Sequence, residues 1–399
     1  MGYPLDFICK CRSAEIIRFS TRYFDYSYTL VWIFNSGHTF VEFQARWYEA
    51  GLNMVDFVAV IVLIWAHIII TFVFLFIFRN SAKPISILCQ TMAEHNTLLG
   101  IQEKDLGPVT KRTYFALLTL MALHVLSVLT SYRYCNDLLA QQFNEYLTFP
   151  THIIWISIVS IFFWPFPAAA SFIVNRQCLL ILLYQLQTYK SKLEAKDAKT
   201  EEADKNEDTK IEIIKDTHES LIELGFKLRS SLDTTSRTLG SFLFVDICMC
   251  VFVTIITIYF TPLIFESISM NENSEIIVNK VKLSYGLHCL FLAIKASVRW
   301  INFYRVGQKI ASKCQKISQS LEQALMDQQG KILKETKRSM KILIRRFQVD
   351  ALIRPWDSFD LNLSTAVSAA GLVATYLVIL IQFRQSNVES THLANNTIV

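Results

Sequence analysis

Long, uninterrupted runs of apolar residues dominate the pattern of the chain. The clearest run, Met54–Phe78, contains a single acidic residue in about 25 positions. An α-helix rises 1.5 Å per residue, so a run of this length crosses the roughly 30 Å hydrocarbon core of a bilayer. A helix buried in a soluble protein rarely stays apolar on every face over such a length. The run therefore predicts a transmembrane helix.

Further segments have the same length and apolar character, although the first is weaker because Asn35, His38 and Glu42 interrupt it. We nevertheless count the first segment as a span, because without it the number of spans would be even and the predicted topology would change. The predicted fold class is thus an all-α polytopic membrane protein with seven transmembrane helices. In chain order, the predicted spans are Tyr23–Phe43, Met54–Phe78, Thr113–Tyr132, Thr151–Val174, Gly240–Phe265, Val281–Phe303 and Leu361–Phe383.

Composition strengthens the membrane interpretation. The chain is 52% hydrophobic and 13% aromatic, and only 18% of its residues are charged, against about 25% in an ordinary soluble domain. Residues 1–22 mix charged with apolar positions and hold no continuous apolar core, so we expect no signal peptide there.

The distribution of basic residues predicts the orientation in the membrane. Segments 1–22, 79–112, 176–238 and 304–358, which would share one side, hold 32 of the 39 Lys and Arg residues. Basic residues concentrate in cytoplasmic segments. The N-terminus (1–22) and the loops 79–112 and 176–238 within the span region 23–303 are therefore expected in the cytoplasm. Residues 384–399 should form an extracellular tail, which is the reverse of a G-protein-coupled receptor.

The two longest cytoplasmic segments differ in pattern. Residues 190–219 alternate Lys with Glu and Asp, which is typical of a solvated and partly disordered loop. Segment 304–358 instead carries helical apolar stripes, which predict cytoplasmic extensions of the spans and a separate helix in a helical anchor domain. The stripe residues are Ile310, Cys314, Ile317, Leu321 and Ala324, then Leu333, Thr336, Met340, Leu343 and Phe347.

Polar residues inside the spans are candidate functional residues, because charges in a membrane are costly and usually paired. Similar depths predict an ion pair between Asp246 and Lys295, while Arg299 equally fits snorkelling to the cytoplasmic headgroups. Polar and aromatic side chains in the outer half could form a small-molecule pocket, although each taken singly also fits helix packing. They are Asp56, Trp65, His124, Ser127, Thr130, His152, Trp155, Thr254, Thr257, Ser284, Tyr285 and His288.

The last span ends in a short motif: Thr375-Tyr376, five apolar residues, then Gln382-Phe383. Residues seven apart share one helical stripe, so a polar and an aromatic stripe run side by side; an interfacial Gln reaching the headgroups is the alternative. With its position on the last span, this motif resembles the signature of the insect gustatory receptor family. The length near 400, the seven spans and the inverted orientation are also similar.

The resemblance implies a ligand-gated, non-selective cation channel in the plasma membrane, passing Na⁺, K⁺ and Ca²⁺. Four subunits, either copies of this chain or a mixture with related receptors, would surround one pore lined by residues 359–383. The pore and gate residues implied by the motif are Thr375, Tyr376, Ile379, Gln382 and Phe383. Segment 304–358 would anchor the subunits together, and a tastant (a sugar or a bitter compound) would bind in each subunit's outer half.

Two other functions remain as alternatives. A secondary transporter would have paired discontinuous helices in two related halves, whereas only the fourth span is broken, at Pro165 and Pro167, and no repeat is visible. A G-protein-coupled type of chemoreceptor conflicts with the predicted orientation. No catalytic or metal-binding spacing is present, so we expect no enzyme activity, cofactor or metal, and no nucleic-acid partner.

Overall fold

The structure is a computed structural model that describes residues 83–142, 166–202, 207–262, 276–327, 334–349 and 353–396, with isolated positions between 73 and 81. Among these residues there is no strand, which confirms the all-α prediction for this part of the chain. The first predicted span, nearly all of the second and residues 151–165 of the fourth lie outside it. The helices are α1 (83–99), α2 (Glu103–Gln142), α3 (Phe166–Glu202), α4 (Glu207–Phe260), α5 (Ile276–Asp327), α6 (Lys334–Val349) and α7 (Leu363–Asn396).

Helix α5 is the centre of the bundle, because it packs against α2, α3, α4, α6 and α7. It carries large side chains that are almost fully buried, among them Phe303, Tyr304 and Ile310. Burying each side chain of this size contributes about 1.5–3 kcal/mol relative to leaving it exposed. The other helices are therefore arranged around α5.

Both apolar stripes predicted for segment 304–358 lie in the hydrophobic core. In α5, Ile310, Cys314 and Ile317 have no exposed surface. In α6, Leu343 and Phe347 are buried in the same way, and Leu333 lies outside the described residues. The core is completed by Tyr189 of α3, Leu228 of α4 and their neighbours. The burial expected from the two stripes is confirmed.

The charged segment 190–219 is not a disordered loop where the structure describes it. Helix α3 continues to Glu202, and α4 begins at Glu207. The segment is rich in Ala, Glu and Lys, which are strong helix formers. An ion pair between Lys190 and Glu194, four residues apart, adds to the helix. In the described part of this segment, high charge is therefore compatible with a helix.

Two helix ends also differ from the predicted spans. Helix α4 ends at Phe260 rather than Phe265, because Pro262 has no N–H to continue the helix and restricts Thr261 before it. Helix α7 continues past Phe383 to Asn396, since residues 384–396 contain neither Gly nor Pro. At least the first part of the predicted tail is therefore helical.

Three described helices contain segments that could cross a membrane by length and composition: Ala169–Ala195, Glu219–Phe260 and Leu363–Phe383. The first continues well past the predicted end of the fourth span at Val174, because α3 stays apolar through its contact with the core. The number of seven spans and their orientation remain predictions.

A strap of residues 353–362 joins α6 to α7 and fixes where α7 begins. The amide N–H of Leu361 donates to the carbonyl of Ile353 at 2.9 Å, which closes the strap on itself. Between them, Trp356 (φ 47°) and Asp357 (φ 52°) have left-handed backbone conformations. Such conformations are uncommon for residues other than Gly, so the helix cannot continue through the strap.

The strap lies directly against α4 and α5. Ser236 Oγ of α4 accepts a hydrogen bond from the amide of Arg354 at 3.1 Å. A Cβ atom on Gly240 would lie 3.0 Å from the Trp356 nitrogen, and one on Gly307 of α5 would lie 2.1 Å from the Leu361 carbonyl oxygen. The two glycines thus allow backbone-to-backbone contact that any side chain would prevent.

Helix α7 then begins with a well-formed cap. Asn362 Oδ1 accepts from the amide of Thr365 at 2.9 Å, as an N-cap residue does. The amide of Leu363 donates to Gln308 Oε1 of α5 at 3.2 Å. The first turn of α7 is therefore bound to α5.

We expect Gly307→Ala to destabilise the protein and Gly371→Ala to be tolerated. The added methyl at Gly307 would overlap the Leu361 carbonyl, whereas nothing lies within 4 Å of a Cβ at Gly371. Replacing Gly by Ala in a helix otherwise stabilises by about 1 kcal/mol. Thermal unfolding in detergent should show a lower Tm for Gly307→Ala and an equal or higher one for Gly371→Ala. Equal Tm values for both variants would contradict the close contact at Gly307.

Helix α1 packs on α3 through Gln185, whose side-chain amide donates to the Met92 carbonyl at 3.0 Å and to Asn96 Oδ1 at 2.8 Å. Near this contact, His95 of α1 is buried. Burial lowers the pKa of His95 below its usual value; Lys227 of α4 lowers it further, and Glu94 opposes the change. The neutral ring is therefore the form that suits the folded state.

The stability of the protein should consequently depend on pH through His95. The unfolded chain takes up this proton near pH 6.5, at a higher pH than the folded chain does, so the free energy of unfolding falls as the pH drops below about 6.5. His95→Gln removes the titrating group. The loss of Tm between pH 7.5 and 5.5 should be smaller in this variant than in the wild type. An identical loss in both proteins would exclude a contribution from His95.

Candidate functional site

Helix α7 is the least covered of the apolar helices. In the three apolar segments, the fractions buried inside the protein are 56% for Ala169–Ala195, 50% for Glu219–Phe260 and only 11% for Leu363–Phe383. The last segment carries no charged residue. Its apolar surface must therefore be covered by lipid or by another protein chain, because water is a poor environment for it.

In the described part of α7, the residues that pack against the core of the chain form one narrow stripe. Ala366 and Val373 are buried, while Ala369, Leu377 and Leu380 are partly buried against the core. These positions are three or four residues apart, so they lie on one side of the helix. The small residues allow α7 to approach α4 and α5 closely.

All the predicted pore residues lie on the remaining surface of α7. Tyr376, Ile379 and Phe383 are 51%, 39% and 59% exposed, and Thr375 and Gln382 are also exposed. The Thr375 hydroxyl donates to the Gly371 carbonyl at 3.0 Å, so it is satisfied within its own helix. The motif residues thus lie on faces of α7 that are turned away from the core of their own chain.

A second set of functional side chains forms a column of polar groups between α2, α4 and α5. We call it the polar column: His124 and Ser127 of α2, Asp246 of α4, and His288, Lys295 and Arg299 of α5. Lys295 and Arg299 are four residues apart and His288 lies seven residues before Lys295, so the three α5 members lie on one face of that helix. The same face thus presents all three to α2 and α4.

Asp246 forms an ion pair with Arg299 rather than with Lys295. Arg299 Nε lies 2.7 Å from Asp246 Oδ1, and Nη2 donates to Oδ2 at 2.7 Å. Both side chains are buried, and the guanidinium lies over the ring of Phe172 at 5.7 Å. The predicted pairing with Lys295 was therefore wrong. Arginine suits this position because its planar group contacts both carboxylate oxygens at once.

The two histidines lie beyond this ion pair, towards the N-terminal end of α5. Lys295 Nζ donates to His124 Nδ1 at 3.0 Å. His288 Nδ1 lies 2.7 Å from the Ser127 carbonyl oxygen and 3.0 Å from Ser127 Oγ. A carbonyl oxygen only accepts, so His288 Nδ1 carries a hydrogen. Three predicted ligand residues, His124, Ser127 and His288, are therefore brought together by α2 and α5.

The other predicted ligand residues within the described part of the chain are engaged locally. Thr254 and Thr257 of α4 are buried, and each hydroxyl donates to the carbonyl four residues earlier at 2.6 Å. Thr130 of α2 donates in the same way to Leu126 at 3.0 Å. These hydroxyls need no ligand to satisfy them.

The remaining predicted residues are not placed by the structure. Asp56, Trp65, His152 and Trp155 lie outside the described residues, and Ser284 and Tyr285 lie on α5 without a described side chain. Among the described residues, no three His, Cys, Asp or Glu side chains come together as a metal site would require.

One further polar contact was missed by sequence reasoning. Arg176 Nη1 of α3 donates to Asn302 Oδ1 of α5 at 2.8 Å, about one turn after Arg299 in α5. Asn302 lies at the end of the predicted sixth span, where a polar residue attracts no notice. The available signal was its spacing of three and seven residues from Arg299 and Lys295, which places it on the same face of α5.

The arrangement of these helices is that of a known fold. No protein-family model matches the chain, and no curated protein matches it significantly. Among solved structures, however, the chain has the fold of the insect olfactory receptors.

The receptor in question is OR5 from Machilis hrabei. Its complex with eugenol matches with a TM-score of 0.58 and 12% sequence identity over 83% of this chain and 82% of the receptor. A second structure of OR5 matches with a TM-score of 0.56, at the same identity and coverage. The resemblance to insect chemosensory receptors is thereby confirmed at the level of the fold.

The ion pair makes a specific prediction about coupling. Asp246→Asn leaves Arg299 buried without its counter-charge, which costs about 3–5 kcal/mol when one partner of a buried pair is removed. Arg299→Met combined with Asp246→Asn should recover part of this loss. Thermal stability in detergent, measured for both single variants and the double variant, gives the coupling energy.

The matched control is the same cycle with Lys295→Met in place of Arg299→Met. It should give a much smaller coupling energy with Asp246. Additive losses for Asp246 and Arg299 would show that these two residues do not interact.

Proposed function

We propose that the chain is a subunit of a gustatory receptor: a tetrameric, ligand-gated, non-selective cation channel of the plasma membrane. Four copies of α7, from this chain alone or together with related receptors, would line one central pore for Na⁺, K⁺ and Ca²⁺. A small tastant, either a sugar or a bitter compound, would open it from a site within each subunit. The fold shared with OR5 supports a chemosensory receptor, and the motif at residues 375–383 favours the gustatory branch.

The exposure of α7 carries this proposal. A transmembrane helix that faces only lipid usually carries apolar residues on its uncovered faces. Thr375, Tyr376 and Gln382 are exposed nevertheless. Around a four-fold axis the same side chains would be buried between subunits or would line water. A pore with one helix from each subunit explains both the apolar length of α7 and its polar positions.

In this proposal, a route from a ligand to the pore would run through α4 and α5. Helices α4 and α5 contribute Asp246, Lys295 and Arg299 to the polar column, and the same two helices hold the strap through Gly240 and Gly307. A ligand that moves α5 relative to α4 would therefore move the start of α7. Two packings of the strap would serve as the closed and open states.

The closed pore would be sealed by Phe383. Four phenyl rings near an axis exclude water, and an ion there would lose its hydration without gaining replacement ligands. Gln382 would be able to replace part of that hydration with its amide when the pore is open. The two neighbouring residues would thus have opposite roles.

We therefore expect Phe383→Ala to produce a current in the absence of ligand. The smaller side chain widens the hydrophobic constriction and admits water. Whole-cell recording in a heterologous cell should show a raised basal cation current. The matched control is Phe115→Ala, which removes a phenylalanine that is 73% exposed on α2 and should leave the basal current unchanged.

In the same recordings, Gln382→Ala should change conductance or ion selectivity with little effect on the basal current. If both α7 variants reach the cell surface and neither alters leak, conductance or selectivity, then α7 does not line a pore and the proposed function fails.

A further inference from the structure

The polar column contains more positive than negative charge. Among the residues that the structure describes there, Asp246 is the one acid, and both of its oxygens are engaged by Arg299 at 2.7 Å. Arginine stays protonated in proteins, so this pair is neutral as a whole. Lys295 lies one turn earlier in α5 and adds a second cation.

The charge of Lys295 is not balanced within the described part of the bundle. Its ammonium donates to His124 Nδ1 at 3.0 Å, and a neutral imidazole accepts that bond without bringing any negative charge. A cation in a membrane protein's interior is costly unless an anion accompanies it. The Lys295 side chain is also partly exposed, so that a bound group can reach it.

The Lys295 ammonium itself supplies the hydrogen-bond donors of this environment. It carries three N–H groups, and one of them is directed to His124 Nδ1 at 3.0 Å. His288 Nδ1, by contrast, is bound to the Ser127 carbonyl. A carboxylate suits this environment, since it only accepts hydrogen bonds and carries the missing charge.

We propose that the polar column binds a small organic carboxylate, with the Lys295 ammonium as its counter-ion. This rests on the proposed function, in which it replaces the sugar or bitter compound with an organic acid as the ligand class. The surplus positive charge repels protonated amines, which disfavours alkaloids. A neutral sugar leaves the charge of Lys295 unbalanced. The ligand of this receptor is therefore an acid in its ionised form.

The test detects binding as a change in Tm and needs no channel activity. Full-length protein purified in uncharged detergent is titrated at constant pH and ionic strength with sodium acetate, butyrate and hexanoate. Acetamide, butyramide and hexanamide serve as neutral probes of the same shape. We expect a saturable rise in Tm with at least one carboxylate and none with its amide, because a ligand that binds only the folded state stabilises it.

Lys295→Met should weaken that binding by about tenfold or more, as expected for the loss of one hydrogen bond to a charged group. Lys295→Gln, which keeps a donor without the charge, should weaken it as well and provides a second variant if Met disturbs folding. The matched control is Lys309→Met, which removes an exposed lysine further along α5 and should bind as the wild type does.

Each opposite result overturns the proposal: no saturable response to any of the three carboxylates, an equal response to the amides, or unchanged binding in both Lys295 variants. The basal current of Phe383→Ala separates this failure from that of the channel. A current without carboxylate binding removes the anion site and leaves the channel. Carboxylate binding without a current removes the channel and leaves the anion site.

Discussion

The contact between the Leu361 carbonyl and Gly307 is the constraint on which the position of α7 depends. Helix α7 buries little surface of its own, so its place in the bundle is set at its first turn. There the strap meets α5 without any intervening side chain, Asn362 caps the helix, and Gln308 accepts from the Leu363 amide. On the other side of the strap, the ring of Phe244 of α4 contacts the rings of Trp356 and Phe359. Helices α4 and α5, which contribute to the polar column, therefore also decide where α7 starts.

The buried core of the bundle could be predicted from the sequence, whereas the segments that connect its helices could not. The stripe from Ile310 to Ala324 was recognised because burial repeats every three to four residues, and burial dominates the energy of helix packing. The strap has no such repeat. Its shape depends on left-handed residues at Trp356 and Asp357 and on glycines that are distant in sequence, at positions 240 and 307. The helical segment 190–202 was missed because its composition allows both a solvated helix and a disordered loop.

The candidate site shows the same division. Sequence reasoning identified Asp246 as a buried charge and His124, Ser127 and His288 as members of one pocket, since polar residues in predicted spans are conspicuous. It chose the wrong partner for Asp246, because Lys295 and Arg299 lie on one face of α5 and differ in depth by a single turn, about 5–6 Å. Depth estimated from span ends cannot resolve one turn. The bidentate geometry that favours Arg299 appears only when the side chains are placed.

The low burial of α7 also has a consequence for how this protein can change over time. Most substitutions on the uncovered faces of α7 remove few contacts within the subunit, so they cost the folded chain little. A mutation there can alter the proposed pore without first passing through a poorly folded intermediate. Gly307 and Gly240 tolerate substitution poorly, since almost any replacement displaces the strap. The sequence should therefore change quickly on the uncovered faces of α7 and slowly at Gly240 and Gly307, which lie on other helices.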